Sequence, residues 1–291
     1  MRSTFLKLHL SILLAGFTGL FGKLVTLNEG LLVCYRMLFT ALILFLILRV
    51  RGKIAGVSLS DAGKIAGTGC LLALHWVFFF GSIKQANISI GVICFSLVSF
   101  FTAWLEPLIC RRRVSVRELL LSLISVCGIL LIFRLDSHYR TGILLGVISS
   151  ALAALFTIVN KKVGAGRSTT VMLQYEMAGG CLLLLCLMPL YLHFFPVETI
   201  FPAASDLLWL LALSFFCTIG LYLLQIEVLK TISAFTVNLS YNLEPVYSII
   251  LAMLLFGEAK ELTSAFYSGL GLIILSVALQ TFQSSQSSQS S

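Results

Sequence analysis

Long apolar runs alternate along the chain with short basic or polar joints. The runs fall at about 8–27, 31–48, 62–82, 86–109, 117–134, 141–160, 170–193, 207–228, 232–255 and 263–280. Most have the ~17–25 residues that cross a hydrocarbon core as helix. A transmembrane barrel would instead show strands of about ten residues with strict polar–apolar alternation. The joints are only a few residues long, so successive helices run antiparallel, and nothing outside the spans is large enough to fold alone. The pattern predicts an all-α integral membrane protein with ten transmembrane helices. The first run follows Arg2 and Lys7 as a signal peptide would, but it has no small-x-small cleavage site and nine runs follow it, so it reads as helix one.

Composition agrees with this reading. Hydrophobic residues make up 59% and charged residues 11% of the chain, and the mean hydropathy is +1.03. A soluble chain with so few charges could not cover its own surface, whereas lipid removes that demand. The charges also orient the bundle. Of the 20 Lys and Arg, Arg36 lies within a span, and Lys23, Lys84, Arg134, Arg140 and Lys260 lie on one side. The other 14 (20 − 1 − 5) lie at the N-terminus and in the alternate joints. The positive-inside rule makes that side cytoplasmic and, with ten spans, places both termini there. The net charge of +8 is concentrated in these joints, Arg111-Arg112-Arg113 above all. It fits anchoring to anionic headgroups rather than nucleic-acid binding; a phosphate contact by the arginine cluster is the alternative.

Five spans per half is an odd number, so the second half inserts upside down relative to the first. We divide the chain into repeats at 1–135 and 136–280, followed by a polar tail, 281–291, expected to be disordered and cytoplasmic. Residues 78–110 lie beside 224–256 with a shift of 146, which sets Lys84 on Lys230 and Ser99 on Pro245. An inverted repeat is a known basis for alternating access, with the site near the midplane where the halves meet. Gly63 and Gly67, and Gly142 and Gly146, stand four apart and are candidate positions for close helix packing.

Candidate chemistry lies in the polar residues inside the runs, since a buried charge costs at least ~2.5 kcal/mol on insertion scales. Arg36 either snorkels to the surface or faces a cavity, where it meets a carboxylate or an anionic substrate group. Glu176 is one candidate partner for it. In NLSYNLEPVYS, Asn238, Tyr241, Asn242 and Pro245 recur at spacings of three and four and share a face with Glu244 nearby. Pro245 cannot donate to the Tyr241 carbonyl, which favours a kink there. Such a segment is tolerated only against protein or a wet cavity. His75, Trp76 and Phe79 form a second polar–aromatic spot, and Tyr222 and Gln225 a third. Glu106-Pro107 reads as the end of span four, and Lys84 and Lys230 as helix-end charges. The eight cysteines form no CxxC and fit no metal spacing, so they read as small apolar filler. GxSxG, HExxH and phosphate-cradling GxxxxGK[ST] are absent from the sequence. We therefore expect no enzyme activity, no cofactor and no metal, and a secondary rather than ATP-driven machine.

The stretch LEPVYSIILAMLLFGEAKELTSAFYSGLGLIILSVAL, residues 243–279, resembles the EamA-like branch of the drug/metabolite transporter superfamily, with its Pro-led helix nine, Gly257-Glu258 turn and glycine-bearing helix ten. YRMLFTALIL resembles the family's arginine-containing helix two, and CGILLIF the end of its helix five. The first half departs from the pattern at Ser99, where the proline of helix four is usual, and at Cys110-Arg111-Arg112-Arg113, which replaces the Gly-Glu turn. The resemblance implies a ten-helix inverted repeat, usually in a bacterial inner membrane, that moves amino acids or other small metabolites, often outward. The expected partners are the lipid bilayer, a small-molecule substrate and a coupling proton or counter-substrate, with the oligomeric state left open. A non-transporting sensor or assembly module on the same bundle is the alternative reading.

Overall fold

The computed structural model describes residues 2–52, 57–111, 115–135, 139–260 and 262–287, and among them there are helices and turns but no strand. Among the described residues eight tracts are long and apolar enough to cross a membrane: Ser3–Leu24, Glu29–Val50, Leu59–Gln85, Ile88–Cys110, Arg140–Gly164, Thr169–Phe194, Ala204–Leu229 and Ala234–Phe256. They contain helices α1 (Arg2–Leu24), α2 (Glu29–Val50), α3 (Leu59–Gln85), α4 (Ile88–Phe95) and α5 (Val98–Cys110). α6 (Val116–Leu135) then precedes α7 (Arg140–Gly164), α8 (Thr169–Phe194), α9 (Ala204–Ser214), α10 (Leu221–Leu229), α11 (Ala234–Ser240) and α12 (Glu244–Phe256). α13 (Ser264–Ser287) ends the chain and packs along α6. α13 extends past residue 280, the expected start of the polar tail, to Ser287.

Polar caps start the helices where the sequence offers Asn or Ser. Asn28 accepts from Leu31 N (2.9 Å), Asn87 from Ile90 N (2.8 Å) and Ser233 from Thr236 N (3.0 Å). Large apolar side chains such as Leu46, Leu108, Leu182 and Leu254 face outward, as a lipid-facing surface requires. α3 lies between α7 and α8 and packs along both. There the backbones nearly touch: a Cβ on Gly69 would stand 1.9 Å from the Glu176 carbonyl oxygen, and one on Gly179 2.5 Å from Ala66 Cα. Gly142 and Gly146 likewise meet Ala86 and Cys94 at 2.6 Å. Gly63 and Gly67 have nothing within 4 Å, so the small residue that seats α3 is Gly69, two residues beyond Gly67 and on a different face.

Two spans are broken in the middle. Between α4 and α5 the chain tightens through bonds from Ser96 N to Ile93 O and from Leu97 N to Cys94 O. Between α11 and α12 a 3-10 turn, Tyr241–Leu243, precedes Pro245, which sits in the first turn of α12 where its missing N–H is harmless. The two broken spans cap one another. Glu258, just after α12, accepts from Ile88 N (3.1 Å), Ser89 N (3.0 Å) and Ser89 Oγ (2.7 Å) at the start of α4. It also pairs with Lys23 at 2.8 Å. In return Glu106, in α5, accepts from Phe235 N (3.1 Å) at the start of α11. Glu106 is thus a cap for the other half rather than the end of its own helix, which continues to Cys110. Burial opposes charge on Glu258, but Lys23, Ser89 and the backbone of Ile88 outweigh it and hold its pKa below the usual carboxylate value.

Candidate functional site

Arg36 is fully buried in α2 and has its position fixed from both ends. Its carbonyl accepts from Thr40 Oγ (2.7 Å) and Ser214 Oγ (3.1 Å). Its guanidinium donates from Nε to Thr218 Oγ (2.8 Å) and from Nη2 to the Cys217 carbonyl (2.8 Å). Both acceptors lie in a π-helical turn, Phe215–Gly220, between α9 and α10. A widened turn of this kind frees backbone groups that a regular helix would consume. The guanidinium carbon lies 3.7 Å from the centroid of the Trp76 ring, which adds a cation–π contact in a desolvated place. Among the described residues Nη1 has no hydrogen-bond partner.

Around this arginine the structure gathers residues from four further places. α3 supplies His75, Trp76 and Phe79, α10 supplies Tyr222 and Gln225, the 3-10 turn supplies Tyr241 and α12 supplies Glu244. Together with Arg36 they line one cavity of about 40 Å³, room for roughly three waters. The walls are braced: Trp76 Nε1 donates to Tyr222 OH (3.1 Å), Tyr241 OH to Ser11 Oγ (3.0 Å), and His75 Nδ1 contacts Ser149 O (3.0 Å) and Oγ (2.8 Å). Gln225 Oε1 is buried without a partner. The cavity therefore holds a cation with an unused donor, a carboxylate, an unused amide acceptor and a lining of aromatic rings.

Not every sequence candidate reaches it. Glu176 does not pair with Arg36; it accepts from Asn160 Nδ2 at 2.5 Å, and Asn160 was not among the candidates. Asn238 points to the other half, donating to Thr102 Oγ at 2.8 Å across the α11–α5 contact. Tyr241, three residues on, lines the cavity while Asn238 does not. The side chain of Asn242 lies outside the described residues. Thr218, Cys217 and Asn160 complete the polar framework, and among the described residues no cluster of His, Cys, Asp or Glu could hold a metal ion.

Comparison with known proteins adds the last observation. The model of the EamA-like transporter family matches residues 3–134 and again 140–282, covering both halves. A Bacillus subtilis (strain 168) protein described as the uncharacterized transporter YxxF is 25% identical over 281 residues, 93% of this chain and 86% of its own length. A solved structure, described only as the crystal structure of a protein, superposes with a TM-score of 0.69 at 18% identity, covering 98% of this chain and 99% of that one.

Proposed function

Since this chain belongs to the EamA-like transporter family, we propose that it is a secondary transporter that moves a small zwitterionic metabolite, an amino acid or close relative, outward by alternating access. The observation that carries the substrate class is that a guanidinium and a carboxyl group, Arg36 and Glu244, line one buried cavity. Arg36 Nη1 offers an unused charged donor to a carboxylate. Glu244 and the unpartnered Gln225 Oε1 offer acceptors to an ammonium group. A ligand carrying only one charge would leave the other cavity charge without a counterpart, which is costly away from water. Trp76, Phe79, Tyr222 and Tyr241 supply apolar surface for a side chain.

In this reading α6 and α13 complete ten membrane spans, arranged as two inverted sets of five. The basic joints keep both termini cytoplasmic, in a bacterial inner membrane. The small cavity belongs to an occluded stage of the cycle, and loading requires the bundle to open on one side. The reciprocal capping of α4 and α11 supports a rigid pair of broken spans around which the halves rock.

The test is counterflow into proteoliposomes preloaded with a metabolite mixture, with labelled amino acids, organic anions, nucleosides and sugar phosphates offered outside in turn. Trans-stimulated uptake of amino acids is expected. Uptake confined to anions without an amine would overturn the zwitterion assignment. A null result across the whole panel, with folded protein and a working control carrier, would favour a sensor or assembly module.

A further inference from the structure

A second buried carboxylate lies outside the cavity. Glu176, in the first third of α8, is 0% exposed, and among the described residues its side chain has one hydrogen bond, from Asn160 in α7. Glu176 Oε2 and Asn160 Oδ1 are both buried acceptors without partners. With the Asn160 amide turned over, a protonated Glu176 donates O–H to Asn160 Oδ1 across the same 2.5 Å. That separation is within the range of an O–H···O bond and short for N–H···O.

The surroundings favour the same assignment. Glu244 shares its cavity with Arg36, but Glu176 has no cation bonded to it, and an unpaired buried carboxylate is relieved by taking up a proton. The cations on neighbouring elements are engaged elsewhere: Arg36 with Thr218 and Cys217, Lys161 with the Ile232 carbonyl, Lys230 with Glu227 and Thr169. On α3, His75 contacts Ser149, and Asp61 is held by Arg167 and Lys64. The remaining titratable groups on the elements packed against α8 include Cys34 and Tyr35 of α2, Cys70 of α3, and Tyr222 and Glu227 of α10. On α8 itself Tyr175 and Cys181 flank the site.

Asn160 also opens onto a pocket of about 300 Å³ at the Lys-rich end of the bundle, lined with Lys161, Gly164, Gly166, Ile226 and Lys230. Several waters fit there. Water can take up a proton as well as give one, so the proton can leave as well as bind. α10 joins the two compartments: Ile226 and Leu229 border this pocket, and Tyr222 and Gln225 border the substrate cavity.

We propose that Glu176, with Asn160, is a proton-binding site loaded through the Lys161–Lys230 pocket, and that it couples this carrier to a proton gradient. A hydronium ion gives its proton to a Glu176 oxygen, forming the O–H bond and releasing one water; the reverse step unloads it, and no electron moves. The coupling rests on the transport reading above, but the protonation does not.

Infrared difference titration of the full-length protein in proteoliposomes, without substrate, tests the site first. The wild type is expected to show a protonated-carboxyl stretch that fades as the pH rises, is absent in Glu176→Gln and shifts in Asn160→Ala. The Asn160→Ala spectrum decides the matter if Glu176→Gln fails to fold. Identical carboxyl bands in wild type and Glu176→Gln, no shift in Asn160→Ala, or a band unmoved by pH would overturn the proton site. Transport then tests coupling: Glu176→Gln should keep counterflow but accumulate no more substrate with a pH gradient than without one. Retained gradient-driven accumulation would overturn coupling. If the wild type moves nothing in the whole panel, the transport reading fails and the infrared result stands by itself.

Discussion

Replacing Arg36 by lysine separates its charge from its shape. The guanidinium does three things at once: it spans Thr218 and the Cys217 carbonyl, sits 3.7 Å over the Trp76 ring, and keeps Nη1 for the cavity. Lysine preserves the positive charge but donates from one nitrogen and cannot keep this fork. If Nη1 meets the substrate carboxylate, Arg36→Lys loses one charged hydrogen bond, worth ~1.5–3 kcal/mol. That corresponds to roughly a 10- to 150-fold weaker affinity. The protein itself loses up to ~2 kcal/mol of cation–π contact, so melting in detergent should fall as well. Equilibrium binding of the counterflow substrate to purified protein reads the first effect and thermal unfolding the second. A folded Arg36→Lys variant that binds as tightly as wild type would refute the clamp and leave Arg36 with a purely structural role.

Three further outcomes follow from the packing. Gly69→Ala puts a methyl 1.9 Å from the Glu176 carbonyl oxygen; α3 and α8 must part, at a cost of ~1–3 kcal/mol or more, and an unchanged melting temperature would contradict the close crossing. Glu258 has a depressed folded pKa, so its contribution to stability is present above its unfolded value of about 4.3 and is lost as pH falls through the folded value. Acidification should therefore lower the melting temperature of the wild type more than that of Glu258→Gln, and parallel curves would refute it. Glu106→Ala removes the acceptor for Phe235 N and should destabilise by ~0.5–2 kcal/mol, with Glu106→Gln intermediate in the same melting assay.

Helix positions were readable because membrane spans announce themselves by length and oil, and Arg36 because a charge inside such a run has few innocent explanations. The aromatic and polar neighbours in α3 and α10 were readable for the same reason, as polar atoms in apolar context. The partners were not. Asn160 adjoins Lys161 and Lys162, so its polarity looks like a helix end, although it is 1% exposed. The π-helical turn that receives Arg36 depends on one turn closing wider than its neighbours, and FFCTIG carries no mark of it. Glu106 seemed to be a terminator because its partner is 129 residues away. The Gly-Glu turn absent from the first half is mirrored in role, if not in position, by that same glutamate.

The exchange of caps between halves bears on how the chain matures. In lipid an unsatisfied backbone N–H costs several kcal/mol, and the N–H groups of Ile88 and Ser89 wait for a residue 170 and 169 positions later. While the ribosome is still making the second half, the first is therefore an unfinished object, its broken span held open by water, lipid headgroups or the insertion machinery. Either half expressed alone should be short-lived, and the two expressed together should rescue one another.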